Sequence, residues 1–289
     1  MNETIPGERA GEIPSAGRQE PRWEELLNRA RDIAKSILAP RANEVDQGSE
    51  PPSDNVRALA EAGLLGLSTP EEFGGLGAPG AVLREYSETI AGACGVTTFV
   101  QGQHLSACSL IAGADNDELK RRALPDYAKG ARLCGVAFSH LRRPGPPTMR
   151  VREENGCFVF DGVAPWLTGW GVMQDVVLGG TFENGQLLYA VATLETSEAM
   201  WPSEPMPLCA MNASGTVELF CKGFRVPVEN AMKTITQEQM SVNDLGAILG
   251  VTPQIFGASS ASIRLVSELA QRRDSSLLHE VAETLQEAP

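Results

Sequence analysis

No apolar run reaches the roughly 18 residues a membrane-crossing helix needs, and the opening MNETIPGERAGEIPSAGRQEP lacks the basic-then-apolar order of a secretory leader. The expectation is a cytoplasmic chain with no membrane insertion. Cysteine is sparse and scattered: Cys94, Cys108, Cys134, Cys157, Cys209 and Cys221 form no C-x-x-C pair and have no histidine at ligand spacing. That excludes a zinc site and leaves reduced, partly buried thiols. Of the 3 histidines, His104 sits in an apolar helical pattern and reads as structural, whereas His279 reads as exposed. Basic residues are few, 24 against 37 acidic ones, for a net charge of −13. The mean field therefore repels nucleic acid and anionic membrane, although a local basic patch can still hold one anionic ligand. The run Gly74-Gly75-x-Gly77 has no strand before it and no Lys-Ser/Thr after it, so it is not a phosphate loop. Solenoid periodicity is absent as well.

What the chain does have is 42% hydrophobic and 21% charged residues over 289 positions, more than one ordinary core requires. Residues 1–20, rich in Pro, Gly and Glu, read as a disordered tail. From Trp23, apolar residues recur every three or four positions (Leu26, Leu27, Ala30, Ile33, Ala34, Ile37), and Pro40 should end or bend that helix. A second helix follows Pro51-Pro52, with Ser53 or Asp54 as its cap. Further helical patterns cover about 81–95, 100–112 and 117–129. Past Gly130 the period becomes two, giving candidate strands at 133–139, 148–152, 157–163, 175–181, 187–193 and 216–224. Glu183-Asn184-Gly185 is a hairpin signal. Helical patterning returns from Gln237, interrupted or bent at Pro253, with a last amphipathic segment at 275–286. The fold class is thus α+β and multidomain: an all-α domain at 21–130, a central antiparallel β-barrel or sandwich at 131–232, and a partial helical bundle at 233–289.

Chemistry concentrates between Cys134 and Gly171. A short apolar strand runs into Phe138, Ser139, His140, Leu141, Arg142 and Arg143, and Pro144-Gly145-Pro146-Pro147 then turns the chain. Two strands later comes Trp166-Leu167-Thr168-Gly169-Trp170. Cations, hydroxyls and flat aromatic faces at the end of a sheet suit a planar anionic cofactor.

Three segments carry a family resemblance over about residues 23–270. Gly63-Leu64-Leu65-Gly66-Leu67 with Pro70-Glu71-Glu72-Phe73-Gly74-Gly75-Leu76-Gly77 resembles the N-terminal loop of acyl-CoA dehydrogenases. Gly162-x-x-x-Trp166-Leu167-Thr168 is similar to that family's G-x-K-x-W-I-T segment, and Phe224-Arg225-Val226-Pro227-Val228-Glu229-Asn230 to its F-x-V-P-x-x-N strand end. The resemblance implies FAD as cofactor, an acyl-CoA or related thioester as substrate, α,β-dehydrogenation with hydride transfer to flavin N5, a homo- or hetero-oligomer, and an electron-transfer partner. It places Phe138, Ser139, His140, Leu141, Arg142, Arg143, Trp166, Leu167 and Thr168 at the cofactor.

The chain also departs from the family pattern. His140-Leu141-Arg142-Arg143-Pro144-Gly145-Pro146-Pro147 stands where the family has E-P-x-x-G-S-D; the prolines remove backbone donors, and the two arginines can replace them at a phosphate. Where a minority of the family carries its catalytic glutamate, this chain has Ala247, with Asp244 one helical turn away, so the catalytic base is unassigned. Fewer residues follow Pro227 than in the family, which implies either truncation or completion by a partner. Two alternatives therefore stand beside the dehydrogenase: a non-catalytic subunit of the same fold, or a reduced-flavin-dependent monooxygenase, which needs no α-proton base.

Overall fold

The computed structural model describes residues 21–248 and 252–287, so the tail expected over residues 1–20 lies outside the described residues. Trp23, Leu26, Leu27 and Ala30 are buried along one side of α1 (Pro21–Ile33). A widened π turn at Ala34–Leu38 leads directly into α2 (Ala39–Gln47). Pro40 therefore does not end the helix. The chain stays helical through it, and the widened π turn just before it accommodates the ring of a residue that has no N–H to give to the ladder. Ahead of α3 (Ser53–Glu61), Pro52 is the N-cap residue and makes no side-chain bond, so neither Ser53 nor Asp54 caps as expected.

Two of the four glycines in the following loop, Gly74 and Gly77, take positive φ. The other two make room instead: a Cβ on Gly66 would lie 2.8 Å from the Ala128 carbonyl oxygen, and one on Gly75 2.1 Å from that of Thr69. Helices α4 (Gly80–Ala91), α5 (Gly95–Ala112) and α6 (Asp117–Ala128) complete this layer. Asn116 caps α6 by accepting from the Leu119 N–H, and its amide donates to the carbonyls of Glu229 and Ala231, 2.9 Å each, tying the helix to the sheet.

The sheet has eight strands: β1 (Cys134–Ala137), β2 (Met149–Glu154), β3 (Cys157–Leu167), β4 (Asp175–Thr181), β5 (Leu187–Thr193), β6 (Met200–Pro202), β7 (Val217–Pro227) and β8 (Ala231–Ile235). They run in the order β6-β7-β3-β2-β4-β5-β8, with β1 paired to β4. This is an open, sandwich-like sheet and not a closed barrel. It is also mixed: β1 lies parallel to β4, Cys134 opposite Asp175, while the other extended ladders are antiparallel. Sequence periodicity placed β4 and β5 but missed β6 and β8, and β8 crosses the expected boundary at residue 232. Alternation assigns the faces. Val176 and Leu178 join Phe160, Leu167 and Leu219 between the sheet layers, whereas Val177 and Val191 meet Ile111 and Leu124 of α5 and α6.

His104 is structural, as its pattern implied. Its Nδ1 accepts from the Cys134 N–H at 3.1 Å and its Nε2 donates to the Tyr127 carbonyl at 3.1 Å. Burial pushes this imidazole down to about 4, so it stays neutral. The Tyr127 hydroxyl donates to the buried Asp175 carboxylate, which also holds Arg132 and Thr193.

The C-terminal part consists of α7 (Gln237–Ile248), α8 (Pro253–Arg273) and α9 (Ser276–Glu287). Pro253 opens α8 and does not bend it. Gly257 lets α8 meet α4, since a Cβ there would lie 2.2 Å from the Glu88 carbonyl oxygen. Four of the six free cysteines are buried, and no group of metal-ligating side chains gathers among the described residues. No described helix is long and apolar enough to cross a membrane.

Candidate cofactor site

Gly162 positions the most exposed tryptophan at the end of the sheet. With φ at +132°, and with a Cβ that would lie only 2.0 Å from the Thr148 carbonyl oxygen, the position takes only glycine without displacement. β3 bends here, the Val163 N–H donates to Thr148, and the register against β7 shifts between Ala164 and Leu167. The bend leaves Trp166 42% exposed, while Leu167 beside it is fully buried. Thr168 follows, its hydroxyl 2.9 Å from that of Thr216, which lies 2.7 Å from the Ser214 hydroxyl. Backbone bonds from Gly169 to Ser214 and from Trp170 to Gly215 pin the turn.

Trp166 and Thr168 line one side of a cleft of about 500 Å³. Phe99 and Gln103 of α5 form the facing wall, and Val136 and Phe138 contribute the end of β1. Ser139 and Arg142 of the 3-10 turn after β1, and Arg143 just beyond it, close the rim. Phe99 is 38% exposed, so two large aromatic residues line one opening, and among the described residues no carboxylate lines it. A flat ligand with an anionic tail suits such a site.

Six of the nine residues expected at a cofactor thus meet here: Phe138, Ser139, Arg142, Arg143, Trp166 and Thr168. The side chains of His140, Leu141 and Leu167 turn elsewhere. Leu167 packs between the sheet layers, and Leu141 lies over Gly179 of β4 in the core between the sheet and the helices. His140 donates from Nε2 to the Gly179 carbonyl at 3.0 Å, clamping the turn onto β4, and burial pushes it down to about 4. Trp170 packs against the sheet core. Phe99, Gln103 and Val136 were not foreseen, since only the packing of α5 beside β1 brings them to the opening.

Arg142 is already engaged. Its Nε and Nη2 donate to the two oxygens of Asp244 on α7, each at 2.8 Å, and its guanidinium lies 5.5 Å from the Phe138 ring centre. The pairing holds the Asp244 carboxyl below the usual range, unlike a general base poised near neutrality. Arg143 has no ion pair or side-chain hydrogen bond among the described residues.

Helices over one face of a mixed sandwich-like sheet, a helical return, and a cleft where the sheet end meets α5 define the class: the acyl-CoA dehydrogenase fold. A solved probable acyl-CoA dehydrogenase from Mycobacterium abscessus superposes with a TM-score of 0.80 at 20% identity, over 93% of this chain and 76% of that one. Residues 20–131 match the family model for the acyl-CoA dehydrogenase N-terminal domain. The chain is similar to a 3-(aryl)acrylate reductase of Clostridium sporogenes, 24% identical over 86% of this chain and 69% of the other. It is equally similar, at 24%, to the mouse mitochondrial short-chain specific acyl-CoA dehydrogenase, over 86% of this chain but only 63% of that enzyme. The chain thus has the acyl-CoA dehydrogenase fold and is similar to members of that family, whose N-terminal domain it matches over residues 20–131.

Proposed function

We propose that this protein is an oxidoreductase of acyl thioesters that works with FAD held in the Phe99–Trp166 cleft. One observation carries the reading: the two aromatic side chains that folding leaves exposed outside the C-terminal helices face the same opening. Trp166 and Phe99 supply apolar walls for the ring system, Thr168 and Ser139 hydroxyls for its polar edge, and Phe138 the floor beside β1. Bound flavin would supply the two-electron acceptor for α,β-dehydrogenation of an acyl-CoA thioester, taking the β-hydride at N5, while the α-proton would go to a base that is not among the residues lining the cleft. The chain's own part is to orient the ring, exclude water around it and hold its anionic tail. Exposed apolar residues on α7–α9 support oligomer formation and docking of an electron-transfer partner.

Purified protein should show a stoichiometric visible flavin spectrum that an acyl-CoA bleaches under anaerobic conditions. Colourless protein that stays colourless with added FAD overturns the reading. Trp166→Ala should weaken FAD binding without unfolding the chain, because the side chain is 42% exposed. A second reading, a flavin-binding subunit without its own chemistry, is favoured by the absence of a carboxylate from the cleft's lining among the described residues and by the engagement of Asp244. Flavin colour that no acyl-CoA bleaches identifies that case.

A further inference from the structure

Two adjacent arginines look equivalent as phosphate ligands, yet their surroundings differ. Arg142 gives both arms of its guanidinium fork to Asp244 and rests over Phe138. A bidentate guanidinium–carboxylate pair leaves little capacity for a second anion. Arg143 reaches the same cleft, and also a smaller cavity of about 270 Å³ behind the turn. Its backbone is set by the N–H bond to the His140 carbonyl on one side and by Pro144 on the other. Beneath it, His140 is clamped to Gly179 and adds no competing carboxylate. With Arg142 cancelled by Asp244, the turn presents one positive charge and not two.

We propose that Asp244 is a specificity determinant of the cleft: as internal counter-ion of Arg142, it leaves Arg143 as the one guanidinium on this turn that meets a ligand's phosphate. The assignment rests on the flavin reading above for the ligand's identity, but not for the division of labour between the arginines. Asp244 thereby limits the anionic charge this rim accepts, and it fastens α7 to the turn at the same time.

The test titrates riboflavin, FMN and FAD into the full chain and follows flavin fluorescence. Arg143→Gln should weaken FAD and FMN by about tenfold or more while leaving riboflavin unchanged, as expected for a lost charged hydrogen bond. Arg142→Gln alone would strand the Asp244 charge beside the cleft, so the informative variant is the charge-neutral double Arg142→Gln/Asp244→Asn. It should bind all three flavins as the parent does. Asp244→Asn alone frees Arg142 and should tighten FAD several-fold, with a steeper loss of affinity as salt rises. A double variant that loses as much FAD affinity as Arg143→Gln, or an Asp244→Asn protein with unchanged affinity and salt dependence, overturns the inference.

If no flavin binds the parent, the cofactor reading fails separately. Inorganic pyrophosphate, followed by phosphorus NMR line broadening, then decides the inference alone. Binding that Arg143→Gln abolishes and the double variant keeps sustains it, and a parent that ignores pyrophosphate ends it.

Discussion

The helices before the sheet and the helices after it are built from similar amphipathic patterns and end in opposite conditions. In α1–α6, Leu27, Leu59, Ile90 and Ile111 are essentially inaccessible, enclosed by one another and by the sheet. In α7–α9, Val242, Leu245, Ile255 and Leu277 are each more than 60% exposed. Hydrophobic periodicity records that a helix has an apolar side, but not whether anything covers it. Burial, and with it stability, should therefore be strongly unequal along this chain.

The sharpest test of that contrast is paired truncation. Leu27→Ala should cost about 2–5 kcal/mol, as deletion from a closed core does, whereas Leu277→Ala should stay within about 0.5 kcal/mol. Urea denaturation measures both, and equal costs would dissolve the distinction. Next in size is acid. The folded His104 imidazole sits near 4 against 6.5 when free. Between those values the unfolded chain binds a proton that the folded chain refuses. Stability should thus fall by about 3 kcal/mol as pH drops from 6.5 toward 4, and level off below. His104→Gln, which can accept from Cys134 and donate to Tyr127, should remove that slope, and a slope that persists would place its origin elsewhere.

A smaller effect is expected where the two regions touch. Gly257→Ala must push α8 away from α4, costing about 1–3 kcal/mol of local docking. Hydrogen exchange should show α8 amides losing protection while those of α5 and β4 keep theirs. Asn116→Ala, which loses the α6 cap and two bonds to the β7–β8 turn, should cost about 1–2 kcal/mol by thermal or urea denaturation. The cost should fall on the closed region and leave α8 unchanged.

Much of this was legible beforehand where the signal was local. β4 and β5 alternate between two buried faces, and Glu183-Asn184-Gly185 closes the turn between them, with Gly185 at positive φ. β6 was missed because it has three residues and ends in proline. β8 was missed because it is short, only partly buried and defined by its pairing with β5. The parallel β1–β4 pair has no local mark, since strand direction depends on where the intervening chain travels. In the cleft, Trp166 and Thr168 had been singled out by the resemblance of the Gly162–Thr168 segment. Phe99 and the Arg142–Asp244 pair were not, because the latter joins residues 102 apart.

By itself, the order of residues determined the longer helical and extended segments, where the glycines must lie, and that aromatic and cationic groups cluster after β1 and at the end of β3. These are short-range consequences of backbone sterics and of side chains repeating along one element. Only the tertiary structure decided which of two neighbouring arginines is spent on a carboxylate, which aromatic faces remain open, and which apolar sides stay uncovered. Those outcomes depend on distances between segments far apart in the chain, and no local pattern encodes such a distance.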